Sequence, residues 1–287
     1  MGTFELGDNQ YGKAECRLVR VDRDGDTHSI TDLNVTTTLA GDLAETHLTG
    51  DNSGVLPTDT QKNTVYAFAR DGIGEIEDFA LNLVRHFVTA AATIERARVR
   101  IEQYTWDRIA ATGHSFARGA GTRTATAACD GEDAWVVSGV SDLVVLNTTG
   151  SEFRGFPRDR FTTLAETDDR ILATAVTASW RHGTIDGRDW SASFAGARDR
   201  LLTAFADTHS LSLQQTLHAM GERVLDGDDG LAEIRLTLPN KHHFLVDLAP
   251  FGLDNPGEVF YAADRPYGLI EGAVRRAGAP DAGLAWW

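Results

Sequence analysis

The chain has 287 residues, 42% of them hydrophobic and 24% charged, with a formal net charge of −15. That composition fits one large or two moderate globular domains, and the negative balance argues against nucleic acid or an anionic membrane surface as a partner, since both need a basic face. No apolar run is long enough to cross a bilayer. The opening stretch MGTFELGDNQYG lacks the basic and apolar regions of a signal peptide, and Leu6 stands where N-myristoylation needs Ser or Thr. Cys16 and Cys129 are too few for a zinc cluster and need not be bridged, so a reduced, cytoplasmic chain is expected. Of the 27 basic residues only Lys13, Lys62 and Lys241 are lysines. Lysine, unlike arginine, loses its proton when desolvated, so each is either a titratable amine of interest or an ordinary surface residue.

In chain order, residues 11–21 and 33–40 read as strands, the second rich in Thr and Val. The segment DRDGDTHSITD between them has Thr27 and Leu33 where a calcium loop needs Gly and Glu, so it reads as a hairpin connection. The spacing of Ile76, Phe79, Ala80, Leu83 and Phe87 predicts an amphipathic helix. Alternation through Val99 and Ile101 predicts a strand; Gly113, Gly119 and Gly121 suggest a turn before another strand in TRTATAAC. Residues 134–147 and 170–180 read as strands. Phe194, Ala197, Leu201 and Phe205 make one helical stripe; Leu213, Leu217, Met220 and Val224 make another. Strands 231–238 and 242–249, joined by a turn at Asn240-Lys241, close the second half. Strands with helices grouped on one face give an α+β fold, and the repeated element order suggests two similar domains, 1–130 and 131–287.

Three polar stretches could carry chemistry. In LPNKHHF, residues 238–244, the adjacent His242 and His243 point to opposite faces of a strand and cannot share one metal ion; the pattern alone favours a solvated turn. In residues 50–70, Thr58, Asp59 and Thr60 are helix-capping types ahead of a helix, whose N-terminus is also an anion site. In residues 153–171, Phe153, Phe156 and Phe161 read as core, and no arginine is singled out by spacing. The nucleophile elbow, the phosphate-binding glycine loop and the dinucleotide fingerprint are all missing.

Taken together, YGKAECRLVRV (11–21), TGDNSGVLPTDTQKNTVYAFA (49–69), FRGFPRDRFTTLAETDDRILAT (153–174), SLSLQQTLHAM (210–220) and LPNKHHF (238–244) resemble the urate oxidase (uricase) family, in its order and over nearly the whole chain. The resemblance implies tandem T-fold domains, each an antiparallel sheet with helices on one face. It also implies a homotetramer whose sheets close into a barrel with active sites at subunit interfaces. Carried over by motif, Lys13, Thr58 and His242 are the expected catalytic residues. Asp59, Phe153, Arg170, Leu213, Gln214 and Asn240 are the expected substrate-binding residues. Leu213 stands where a smaller Val is familiar, which matters little if it contributes a backbone N–H. The terminal LAWW lacks the peroxisomal tripeptide of many eukaryotic members, which points to a bacterial-type cytoplasmic enzyme.

The implied reaction converts urate, O2 and water to 5-hydroxyisourate and hydrogen peroxide with no cofactor and no metal. Triplet O2 reacts slowly with closed-shell molecules, so urate itself must become an electron-rich dianion. Arg170 then offers a planar fork for an anionic edge, Gln214 a donor and an acceptor on one amide, and Phe153 a stacking face. A relay of Lys13, Thr58 and His242 removes the proton, with Lys13 as base if desolvation or a neighbouring cation favours its neutral form. Asn240 and Thr58 would hold O2 and then water, and Asp59 would orient the loop or the substrate edge. The rival readings are a T-fold enzyme acting on a pterin through zinc and a purine-binding protein without catalysis.

Overall fold

The alternating stretches of the first half pair with one another in chain order. In a computed structural model describing residues 4–110 and 113–287, β1 (Tyr11–Asp24), β2 (Thr27–Gly41), β3 (Ile94–Arg108) and β4 (Phe116–Cys129) are successive antiparallel neighbours. The Met1-Gly2 start, relevant to lipidation, lies outside the described residues. Asp24 pairs with Thr27, so the segment read as a hairpin connection is a tight hairpin, with Gly25 at φ 53°. Gly119 and Gly121 lie inside β4 rather than in a turn. They fall near the point where the β3–β4 register slips between Tyr104 and Trp106, which suits glycine's tolerance of irregular strands.

One face of these strands is apolar and carries the helices. After the short α1 (Ala44–Leu48) come α2 (Thr58–Asp71) and α3 (Ile76–Ala90). α2 packs on β1, and α3 on β3 and β4. The stripe Ile76, Phe79, Ala80, Leu83 and Phe87 is buried against Val35, Val99 and Ile101. Each large member of that stripe contributes roughly 1.5–3 kcal/mol by leaving water.

Residues through Gly139, with Arg181–Ser191 and Pro280–Trp287, form one compact unit. Its last segment is firmly held. Arg181 donates to the carbonyls of Pro280 (2.9 Å) and Asp281 (3.3 Å). Gly283, at φ 48°, sits so close to Trp135 that a Cβ would come within 2.4 Å of the indole. The Trp287 ring lies 5.2 and 5.0 Å from the guanidinium carbons of Arg96 and Arg98, a cation–π arrangement, and its carbonyl accepts from Arg98.

The second unit comprises Val140–Trp180 and Ala192–Ala279. Its strands come from β5 (Ala134–Asn147), β6 (Leu172–His182), β7 (Leu231–Asn240), β8 (His243–Leu245), β9 (Phe260–Ala262) and β10 (Gly268–Arg275), and its helices are α4 (Trp190–Asp207) and α5 (Leu213–Asp226). Both helical stripes are real: Ala197, Leu201, Phe205, Leu217, Met220 and Val224 share a core with Val176, Ile234 and Leu236.

Two expectations fail here. β7 does not form a hairpin with the segment after it. Its partner is β10, with Asn240 opposite Gly268, while β8 pairs with β9 in a separate ribbon. The physical reason is that Lys241 N–H donates to Ala173 O (2.8 Å) and His242 O accepts from Ala263 N–H (2.9 Å). The chain is therefore tied to two different neighbours where a turn would need self-pairing. Phe161, taken as core, is 72% exposed; the Arg160 guanidinium carbon lies 4.5 Å from its ring centroid.

Candidate active site

The expected residues fall into two groups, one in each compact unit. Lys13, Thr58 and Asp59 belong to the first; Phe153, Arg170, Leu213, Gln214, Asn240 and His242 belong to the second.

In the first group, Lys13 sits where β1 departs from regular pairing. It lies opposite Thr37, and the next rung is Cys16 opposite Val35, so three steps on β1 match two on β2. This is a bulge, a device that re-aims side chains. Glu15 within it has φ 56°, and its N–H donates to Thr36 Oγ1 (3.0 Å). Thr58 and Asp59 are not caps. They occupy the first turn of α2, whose N-cap is Pro57 with no side-chain cap bond, so the first-turn N–H groups stay available. Asp59 turns back along its own helix to Lys62 and to Asn63 Nδ2 (2.9 Å). Lys62, with a smaller contribution from the Lys13 charge, holds the Asp59 carboxyl below the usual range. Burial pushes the Cys16 thiol up, and the charges of Lys13 and Lys62 oppose that. Two of the three lysines therefore face the same small region.

In the second group, Arg170 is the centre. Asp169 organises the loop before it, accepting from Thr149 Oγ1 (2.7 Å), Gly150 N–H (2.8 Å) and Ser151 N–H (3.4 Å); these bonds, Thr149 first, depress its carboxyl pKa. The fully buried Ser151 then accepts from Arg170 Nε (3.3 Å). Among the described residues neither Nη nitrogen of Arg170 has a protein partner, so the outer edge of the fork is open. Burial lowers the guanidinium pKa, a sign that the charge is partly desolvated. Phe153 is fixed by two backbone bonds to Thr167 (3.0 and 3.2 Å) and stacks on Phe156 at 5.0 Å; the Arg170 guanidinium carbon is 5.2 Å from its centroid.

The start of α5 treats its two adjacent glutamines differently. Ser212 is the N-cap and accepts from Gln215 N–H (3.2 Å), while Gln215 Oε1 accepts from Leu211 N–H (2.7 Å). This reciprocal cap occupies Gln215. Gln214 is left exposed, with no side-chain partner among the described residues, and Leu213 presents a first-turn N–H. Asn240 ends β7, 9% exposed. The two adjacent histidines have different surroundings: His243 Nδ1 bonds Lys241 O (3.0 Å), whereas His242 stacks near Phe244 (5.8 Å). Burial first, then the charges of Arg170 and His243, lower the His242 pKa below 6.5. Among the described residues no cluster of three His, Cys, Asp or Glu could hold a metal; Cys16 and Cys129 are free and buried.

These motifs match known proteins. The family model described as Uricase matches residues 9–128 and 136–271. The chain belongs to the uricase family. It is 54% identical to a uricase of Arthrobacter globiformis over 275 residues, covering 96% of this chain and 91% of that protein. It is 37% identical to a uricase of Danio rerio, covering 93% of each. The crystal structure of the Arthrobacter globiformis uricase superposes with a TM-score of 0.95 at 52% identity, covering 99% of each chain. A urate oxidase from Bacillus sp. TB-90 shares the fold at a TM-score of 0.79 and 23% identity, covering 93% of this chain and all of that one. The α+β fold expected from the pattern, antiparallel strands with helices on one face, is thus the uricase fold.

Motif carry-over did not name five residues that hydrogen-bond to the expected site residues or to their neighbours: Ser151, Asp169, Gln215, Thr37 and Gln61. Asp169 and Gln215 directly follow or precede named positions in TDDR and SLQQT. Thr37 and Gln61 carry no local signal, because a β2 threonine and an α2 glutamine meet only when the helix packs on the sheet.

The His242 shift gives a first prediction. Since Arg170 contributes to it, an imidazole titration followed by NMR on 13C-labelled histidine places His242 below the ordinary 6.5, and Arg170→Gln moves it upward. An unchanged His242 in that variant would separate the two groups. The sign for stability follows: a depressed histidine pKa means the unfolded chain takes up the proton first, so this residue's contribution is intact above pH 6.5 and is lost as pH falls through the folded value.

Proposed function

We propose that this chain oxidises urate with O2 and water to 5-hydroxyisourate and hydrogen peroxide, using side chains and the urate dianion alone. The supporting observation is the surroundings of Arg170: a partly desolvated guanidinium with an open fork, beside a fixed phenyl ring and an imidazole biased towards neutrality. A planar anion with hydrogen-bonding edges suits that arrangement. Arg170 would take one edge in parallel bonds, Gln214 and the Leu213 N–H another, and Phe153 would stack on the ring. Lys13 would withdraw the proton through Thr58, with His242 as the adjoining acceptor. Asn240 and Thr58 would hold O2 and then water, and Asp59 would orient the α2 turn. Electrons then pass from the dianion to O2, which leaves as peroxide, while water supplies the new hydroxyl. The test is to add urate to protein stripped of metal and follow loss of its ultraviolet absorbance with peroxide release. Turnover that a chelator abolishes and metal restores would overturn the reading.

The two groups of residues are proposed to meet across a subunit contact in a homotetramer, with 1–130 and 131–287 as tandem T-fold domains whose sheets close into a barrel. Mixing supplies the test. Lys13→Met and Arg170→Gln chains, each strongly impaired alone, regain activity when unfolded and refolded together, because some sites then receive both intact halves. No recovery in a demonstrated mixed tetramer would exclude shared sites. We place the enzyme in the cytoplasm, where two unbridged, buried cysteines fit the reducing conditions. No described helix is long and apolar enough to cross a membrane.

A further inference from the structure

We propose that Gln61, with Thr37, is a positioning residue that sets Lys13 against Thr58. The inference rests on the reading of Lys13 and Thr58 as the proton relay and adds what holds them in place.

A relay needs its two groups at fixed separation, yet Lys13 and Thr58 ride on elements without shared backbone pairing. Lys13 is on the bulged edge of β1, and Thr58 opens α2. A buried chain of polar bonds joins them. Lys13 N–H donates to Thr37 Oγ1 (3.2 Å), and Thr37 Oγ1 donates to Gln61 Oε1 (2.7 Å). At the other end of the amide, Gln61 Nε2 donates to Leu56 O (3.3 Å). Tyr11 closes the loop: its hydroxyl donates to Leu56 O (3.1 Å) and accepts from Leu56 N–H (3.0 Å). Leu56 is two residues before Thr58. Gln61 N–H itself caps back to Pro57 O (3.1 Å).

The donor and acceptor directions set the amide. The Thr37 hydroxyl lies much nearer to Gln61 Oε1 (2.7 Å) than to its other acceptor, Lys13 O (3.5 Å), so the glutamine oxygen faces Thr37 and the amide nitrogen faces Leu56. A glutamate would set two acceptors against each other there. Gln61 is fully buried and Thr37 is 1% exposed, so water does not substitute for either. The backbones are equally constrained: a Cβ on Gly12 would come within 1.8 Å of Thr37 O. Nothing in the α2 stripe needs an amide, since neighbouring buried positions are Val65 and Ala69. A fully buried polar residue on an otherwise apolar face, bonded to both relay elements, is explained by placement.

The test uses the whole enzyme. Gln61→Met keeps volume and removes both bonds; it lowers kcat about 10- to 100-fold, as loss of reacting geometry does, with KM for urate nearly unchanged because the proposed ring contacts of Arg170, Gln214, Leu213 and Phe153 lie in the other unit. Thr37→Val behaves alike and Thr37→Ser restores turnover. The double variant Gln61→Met, Lys13→Met is no slower than Lys13→Met. Wild-type turnover in Lys13→Met would defeat the relay itself. A slow Lys13→Met beside wild-type turnover in folded Gln61→Met or Thr37→Val would defeat only this proposal, as would a double variant slowed by the full product of both effects. Should Gln61→Met not fold, the Val and Ser pair at Thr37 decides.

Discussion

Arg170→Gln lowers kcat/KM for urate by about three orders of magnitude while the protein stays folded. The size follows from two charge-assisted hydrogen bonds at roughly 2 kcal/mol each, together about 4 kcal/mol, or close to a thousandfold at 1.36 kcal/mol per decade. Glutamine still stacks near Phe153 but cannot match two parallel acceptors and carries no charge. Folding is spared because among the described residues Arg170 donates only one bond, to Ser151, and burial already disfavours its charge. Arg170→Lys retains the charge but loses the fork, and it falls between the two, by about 10- to 100-fold. Steady-state kinetics with a melting curve decides the matter. A loss smaller than about threefold, against the roughly thousandfold expected, would remove Arg170 from the urate contact.

Lys13→Met lowers kcat by about 10²- to 10⁴-fold, the range for loss of a positioned general base, with little change in KM. Lys62→Met is the discriminating control. Both amines act on Asp59 and Cys16, but Lys62 is committed to Asp59 through a direct ion pair. Its removal therefore frees Asp59 and reduces turnover far less than removal of Lys13. Equal losses in the two variants would show that local positive charge matters and a specific base does not. Addition of a small primary amine to Lys13→Ala recovers part of the rate if the base reading holds.

Much of this was legible in the chain. Periodicity located three helical stripes and nearly every long strand, because burial on one face writes itself into spacing. The strand partners were harder. Nothing local in LPNKHHF says that β7 pairs with a strand some 30 residues later, since that choice is made by Ala173 and Ala263 carbonyl and amide groups distant in sequence. The same limit applies to the site. Arg170, Gln214 and His242 were found by likeness of motif; spacing alone left Arg158, Arg160 and Arg170 equivalent. What separates them is Asp169, which folds the loop so that Ser151 meets one guanidinium and leaves its fork open. Thr37 and Gln61 look like an ordinary strand threonine and helix glutamine until β2 is laid against α2.

The segment from Pro280 to Trp287 fixes an order of events during synthesis. It completes the unit that begins at the other end of the chain, supplying the strip that Arg181, Trp135 and Arg98 hold. A ribosome has therefore made the whole of the second unit before the first can be finished. The half that carries Lys13 emerges early and is sealed last, so its maturation is timed by translation of its neighbour.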